Sequence, residues 1–218
     1  MEGQKFKVSI KVISDVICPW CFIGKRRLEQ AIARHSDQYE FEVKWLPFIL
    51  QPALPREGVD LRTHHRKQMG ARADAMLDDL KSVGKEVGIN FVGDGTINNT
   101  VDAHRLLAYA DRLGKQAAVI EGLFVAHFEQ GKNIGSLDVL AAIAKDAGLD
   151  EEQVRTYLKT EEDLEWVITI DLFWKEQQTE GLPFFVFNDK ISFAGGQAPE
   201  VFGQVFNALK QQAHAESS

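Results

Sequence analysis

Hydrophobic and polar residues alternate near the N-terminus: Phe6, Val8, Ile10 and Val12 fall on one parity, Lys7, Ser9 and Lys11 on the other. This period of two predicts a half-buried strand. From Phe22-Ile23 onward the period changes, and Leu28, Ala31 and Ile32 recur at helical spacing. A second alternation sets Tyr39, Phe41, Val43 and Trp45 against Glu40, Glu42 and Lys44, and Pro47, Pro52 and Pro55 end regular structure after it. Strand, helix and strand predict a β-α-β unit with a right-handed crossover and parallel strands.

From about Val59 to Glu180 the pattern is helical. Ala73, Met76, Leu80, Val83 and Val87 form one apolar stripe stopped by Gly88. Phe91 to Gly95 reads as a loop. Asn99 is placed to cap a helix whose buried face is Ala103, Leu106, Leu107, Ala110 and Leu113. Ala117, Ile120, Phe124 and Phe128 make a further stripe. Ser136 and Asp150 precede two more helices, and Val167, Ile170 and Trp174 mark the last of this block. Strand signals then return. Gly181 to Phe187 is a loop and a buried run, Asn188-Asp189 a two-residue hairpin loop, and Lys190 to Ala194 the returning strand. Pro199 and Glu200 open a final helix burying Val201, Phe202, Val205, Phe206 and Leu209, with a frayed tail from His214.

At 218 residues, 44% hydrophobic and 10% aromatic, the chain can bury a proper core. Its net charge of −7 and the lack of a basic cluster argue against nucleic acid as a partner. Lys25-Arg26-Arg27 reads as a solvated face, although positive charge there would also favour a nearby thiolate. No apolar run reaches membrane-span length. Residues Met1 to Lys5 lead directly into the strand without the apolar core of a signal peptide, so the expected compartment is the cytoplasm.

The chemistry is concentrated at the first strand-to-helix junction, where Cys18-Pro19-Trp20-Cys21 holds both cysteines of the chain. Pro19 suits the first helical position, where its missing N–H is not needed. Cys18 then falls at the helix N-terminus, facing unpaired N–H groups and the positive end of the dipole, which favour its thiolate. Cys21, one turn on, is placed to attack a mixed disulfide on Cys18. A zinc site would need histidines as further ligands. His35, His64, His65, His104, His127 and His214 show no finger spacing with the pair, so no metal is expected. A structural disulfide across two residues would staple almost no loop entropy. His104, about 100° round from Ala103, reads from spacing as a histidine bonded to a neighbouring carbonyl, or alternatively as a groove wall.

The order β-α-β, helical block, α-β-β-α is a thioredoxin arrangement interrupted once. The motifs Cys18-Pro19-Trp20-Cys21-Phe22-Ile23-Gly24, Asn99-Thr100 with Ala103-His104-Arg105-Leu106, Gly181-Leu182-Pro183-Phe184-Phe185, and Gly196-Gln197 with Pro199-Glu200 occur in sequence. Together they resemble the DsbA-like thioredoxin superfamily, and within it the FrnE-like group, neighbour to the 2-hydroxychromene-2-carboxylate isomerases and kappa-class glutathione transferases. The resemblance implies an α/β thioredoxin fold, with residues 1–55 and 165–218 forming a discontinuous thioredoxin-like domain and 56–164 a helical insertion. It also implies a cis Leu182–Pro183 bond. Leu182 stands where valine is usual in the group, and Phe184 where a small hydroxyl residue is common; both bear on how a substrate chain docks.

These readings predict a thiol–disulfide oxidoreductase. Cys18 is the nucleophile and Cys21 the resolving thiol; Pro19, Trp20, Leu182 and Pro183, with Phe22, His104 and Phe184, form the substrate groove. The expected substrates are thiol- or disulfide-bearing proteins or small molecules. No cofactor is required, glutathione is a candidate redox partner, and relatives include homodimers. A glutathione-dependent isomerase or transferase on the same scaffold is the alternative, although its usual residue at the first cysteine position is serine. A chaperone-like binding module, whose action would survive loss of both cysteines, is the third reading.

Overall fold

The computed structural model describes residues 5–177 and 179–216. Among them, β1 (Phe6–Ser14), α1 (Pro19–His35) and β2 (Tyr39–Pro47) form the β-α-β unit. β1 and β2 pair in parallel from Phe6↔Tyr39 to Ser14↔Pro47. β3 (Val59–Asp60), α2 (Leu61–Met69), α3 (Arg72–Glu86) and β4 (Thr96–Ile97) follow. Next come α4 (Val101–Arg112), α5 (Gln116–Phe124), a π-helical turn over Val125–Glu129, α6 (Leu137–Asp146), α7 (Glu151–Leu158) and α8 (Leu164–Glu176). β5 (Phe184–Phe187), β6 (Ile191–Ala194) and α9 (Pro199–Glu216) close the chain. The main sheet has the order β2-β1-β5-β6, with β5 antiparallel to both of its neighbours. This is the thioredoxin fold carrying a large helical insertion.

The sheet is assembled by its aromatic residues. Phe185, Phe187, Phe202 and Phe206 are fully buried between β5 and α9, with Phe185 edge-on to Phe202 at 5.0 Å between centroids. α1 and α9 pack against one another, while α4 and α8 contact β2. A second aromatic cluster joins α1 to the inserted helices: Phe22 stacks on Phe124 (5.0 Å) and Phe128 (6.0 Å) and meets Phe91 edge-on (6.3 Å). Fully burying one such ring is worth about 1.5–3 kcal/mol.

Several local expectations are corrected. β3 and β4, two residues each, form a small antiparallel sheet inside the helical block. They are too short to carry a readable alternation. The N-cap of α4 is Thr100, while the side chain of Asn99 accepts from the Val101 N–H (3.0 Å). Leu113 falls past the end of α4 and is exposed, and Ala117 is exposed because α5 turns Val119 and Leu123 inward. Asp150 caps α7 as expected, accepting from the Gln153 N–H (2.9 Å). The β5–β6 loop has three residues, not two, since Phe187 pairs with Ile191; Asn188 and Asp189 both take positive φ there. α9 persists through His214 to Glu216, so the tail is helical to that point; Ser217, Ser218 and residues 1–4 lie outside the described residues.

Lys25-Arg26-Arg27 is not a solvated face. Lys25 is buried and bonds Glu29 and Glu121 at 2.5 and 2.6 Å; Arg26 also binds Glu121, which ties α1 to α5. Arg27 bonds the Gly196 carbonyl. Among the described residues no helix is long and apolar enough to cross a membrane.

Candidate active site

β1 ends at Ser14, and the turn that follows brings Cys18 to the N-cap of α1. Cys18 has an extended backbone (φ −91°, ψ 112°), and Pro19 sits in the first turn. The Cys18 N–H donates to the Asp15 carbonyl (3.1 Å), and the N–H groups of Cys21 and Phe22 reach back to the Cys18 carbonyl (3.0 and 3.4 Å). The first turn is thus closed around the cysteine. Both cysteines are free thiols; Cys18 is 7% exposed and Cys21 fully buried.

The two sulfurs are unequal. Burial pushes the Cys21 thiol well above its ordinary range, and its hydrogen bond to Cys18 and the charge of that sulfur push the same way. The Ser14 side chain and an Asp15 backbone hydrogen bond pull in the opposite direction. Cys21 therefore rests as a neutral thiol, donating toward Cys18.

The Leu182–Pro183 peptide is cis. Pro183 is buried against the first turns of α1, where a Cβ on Gly24 would lie 2.7 Å from Pro183 Cγ and 3.3 Å from Phe185 Cζ. Only a residue without a side chain lets the helix and the proline loop approach this closely. The Gly195 N–H donates to the Pro183 carbonyl (2.7 Å), and the Gly196 backbone packs on Gly24 and the Trp20 carbonyl. Trp20 is 43% exposed, so its ring stands in solvent beside the pair. Leu182 and Phe184 are half-buried, and Phe184 faces Trp174 at 6.1 Å.

Two expected groove residues are elsewhere. Phe22 is wholly buried in the aromatic cluster between α1 and the inserted helices, and so cannot line a groove. His104 is neither a groove wall nor bonded to a carbonyl. It is 3% exposed, and its Nε2 lies 3.4 Å from Asp15 Oδ1, outside hydrogen-bond geometry.

Asp15, three residues before Cys18, carries signals that sequence reading missed. It is fully buried, and its Oδ2 accepts from the Leu50 N–H (2.7 Å). The neighbouring Ile49 N–H donates to Asp171 Oδ1 (2.7 Å), and Lys175 bonds Asp171 Oδ2 (2.7 Å) and the Ile49 carbonyl (2.9 Å). This chain of bonds fixes the turn before Cys18 to α8. His127 joins the same neighbourhood. Burial lowers its pKa to about 4 against the attraction of Asp15, and His65 lowers it further. An Asp three residues ahead of the Cys-x-x-Cys is the one available hint. Nothing in the spacing pointed to His127, which the π-helical turn rotates inward.

The fold has counterparts among known proteins. The family profile of the DSBA-like thioredoxin domain matches residues 9–207. The Bacillus subtilis protein YwbO is 28% identical over 199 residues, spanning 89% of this chain and 94% of its own. A probable DsbA oxidoreductase from Streptomyces coelicolor superposes with a TM-score of 0.82 at 28% identity, covering 91% of this chain and 88% of that one. The cytosolic disulfide reductase DsbM of Pseudomonas aeruginosa, solved with GSH, shares the fold with a TM-score of 0.65 at 17% identity, covering 93% and 99%. The chain belongs to the DsbA-like thioredoxin family.

Proposed function

We propose that the protein is a thiol–disulfide oxidoreductase working through Cys18 and Cys21. The observation that carries this reading is the placement of Cys18 at the N-cap of α1, with the neutral Cys21 thiol hydrogen-bonded to it from one turn inside. The Cys18 sulfur attacks one sulfur of a substrate disulfide. The S–S bond breaks, the departing thiolate takes up a proton, and a mixed disulfide remains on Cys18. Cys21 then loses its proton and attacks the Cys18 sulfur, releasing the second substrate thiol. The substrate gains two electrons and the protein is oxidised to its intramolecular disulfide; the reverse sequence oxidises a dithiol. Trp20 and the Leu182-Pro183 loop flank the sulfur and form the docking edge.

The likeness to the Streptomyces coelicolor oxidoreductase supports the reaction class. The sequence resemblance supports a FrnE-like protein, and the cytosolic disulfide reductase DsbM, solved with GSH, supports a cytoplasmic setting and glutathione as a redox partner. No metal or flavin is needed for the exchange. The test is reduction of insulin by dithiothreitol: wild type accelerates precipitation of the insulin B chain, and Cys18→Ser abolishes the acceleration. Wild-type turnover by Cys18→Ser would overturn the mechanism.

A further inference from the structure

Beside the cysteine turn, a cavity of about 240 Å³ opens between α1, α2 and α3. Ile17, Pro19 and Trp20 line it from the active-site side, and Met76, Leu77 and Phe128 are among its apolar walls. Its volume is below the roughly 300–1,000 Å³ usual for sites that take drug-sized ligands. One ring-bearing side chain fits it better than a larger ligand.

The cavity is not uniformly apolar. His127 lines it, is 3% exposed, and its Nδ1 has no hydrogen-bond partner. An unpaired buried polar atom is costly; Nδ1 is covered in the resting structure, and a turn of the imidazole toward the cavity would give it a partner entering there. The backbone makes a special provision for this residue. α5 gives way to a π-helical turn at Val125–Glu129, and such turns inside helices occur frequently at functional sites. The rim carries Arg62, paired to Asp94 (3.8 Å), and Arg66, paired to Asp74 (3.1 Å), so the mouth offers a cationic group no free carboxylate.

We propose that this cavity is the specificity pocket of the redox site, and that it takes an uncharged aromatic ring bearing one hydrogen-bonding atom, as in a tyrosine next to the cysteine of a protein substrate. The ring packs against Met76, Leu77 and Phe128 while its hydroxyl meets His127. The inference rests on the oxidoreductase reading and names its substrate preference. A small phenolic disulfide would offer the same chemistry; the size of the cavity and its position directly beside the cysteine turn favour the peptide side chain.

The test uses the reduced full-length protein and a series of peptides with one internal disulfide, in which the residue beside the cysteine is Tyr, Phe, Ala or Lys. The expected order of kcat/KM is Tyr, Phe, Ala, Lys, with Tyr exceeding Ala by roughly tenfold to a hundredfold. His127→Phe should bring Tyr and Phe, which differ by about fivefold in wild type, to equality. Leu77→Asp should erase the advantage of Tyr over Lys. A flat order across the wild-type series overturns the pocket, as does a Tyr-to-Phe ratio unchanged by His127→Phe. A preference seen with bis(4-hydroxyphenyl) disulfide but not with the peptides overturns the protein side chain as occupant. Exchange of the oxidised wild-type protein with dithiothreitol reads the redox chemistry separately, and its failure would count against the oxidoreductase reading itself.

Discussion

His127 should make the stability of the protein pH-dependent in a defined window. Folded, its pKa is held at about 4; unfolded, it returns to about 6.5. The gap of about 2.5 corresponds to about 3 kcal/mol in full, at 1.36 kcal/mol per tenfold change in proton affinity. As pH falls, the unfolded chain takes the proton first. The contribution is therefore fully present above pH 6.5, declines as pH drops through 6 and 5, and is gone below about 4. Between pH 7 and pH 5 the loss from this one residue is about 2 kcal/mol. The perturbation is His127→Phe, which keeps a ring of similar size and removes the titration. The assay is urea unfolding of both proteins at pH 7 and pH 5, with free energies extrapolated to water. The substitution changes packing at both pH values, so only the difference of differences is read. Wild type should lose about 2 kcal/mol more than the variant on acidification. Equal losses, within about 0.5 kcal/mol, would refute the claim that a neutral histidine is buried there.

Gly24→Ala should wedge α1 away from the Pro183 loop, lowering stability by about 1–3 kcal/mol and insulin reduction with it. Gly203→Ala is the comparison: its Cβ would lie 2.8 Å from the His35 ring, which is held by the Ala31 carbonyl (2.8 Å) and packed on Tyr39 and Phe206 away from the cysteines, so the thermal midpoint should fall while insulin reduction by the folded protein stays close to wild type. Arg105, 1% exposed, bonds Asp102 and the carbonyls of Tyr157, Leu158, Thr160 and Glu162, pinning α4 to the end of α7. Arg105→Met should cost about 3 kcal/mol in urea unfolding. A loss below about 1 kcal/mol would show that the carbonyls find other donors.

The parts of the fold written in short-range periodicity were legible. β1 and β2 announce themselves by alternation, α1 by the change of period after Cys21, and α9 by Phe202, Phe206 and Leu209 at helical spacing. The placement of Cys18 at a helix start follows from Pro19 alone, because few other positions tolerate a proline in a helix. What stayed hidden depends on long-range packing. Phe22 adjoins Cys21 in sequence, yet the loop after α3, α5 and the π-helical turn supply the aromatic rings that bury it. His104 and His127 reach the interior beside Asp15 from helices about 90 and 110 residues away in sequence. No local pattern encodes such a meeting. The π-helical turn compounds this, because it breaks the 3.6-residue period on which the stripe through Phe124 and Phe128 was read. The buried role of Lys25 and Arg26 is hidden from the sequence for the same reason: their partner Glu121 lies on α5.

The most direct test of the central claim is a redox titration of the pair. The protein is equilibrated in glutathione buffers of graded potential, quenched in acid, and weighed by mass spectrometry. A cooperative dithiol–disulfide couple predicts that both thiols vanish together, with the loss of two hydrogens and a midpoint slope of about 30 mV per tenfold change in the oxidised-to-reduced ratio. Separate titration of the two sulfurs, with stable glutathione adducts on each and no intramolecular disulfide at any potential, would contradict it.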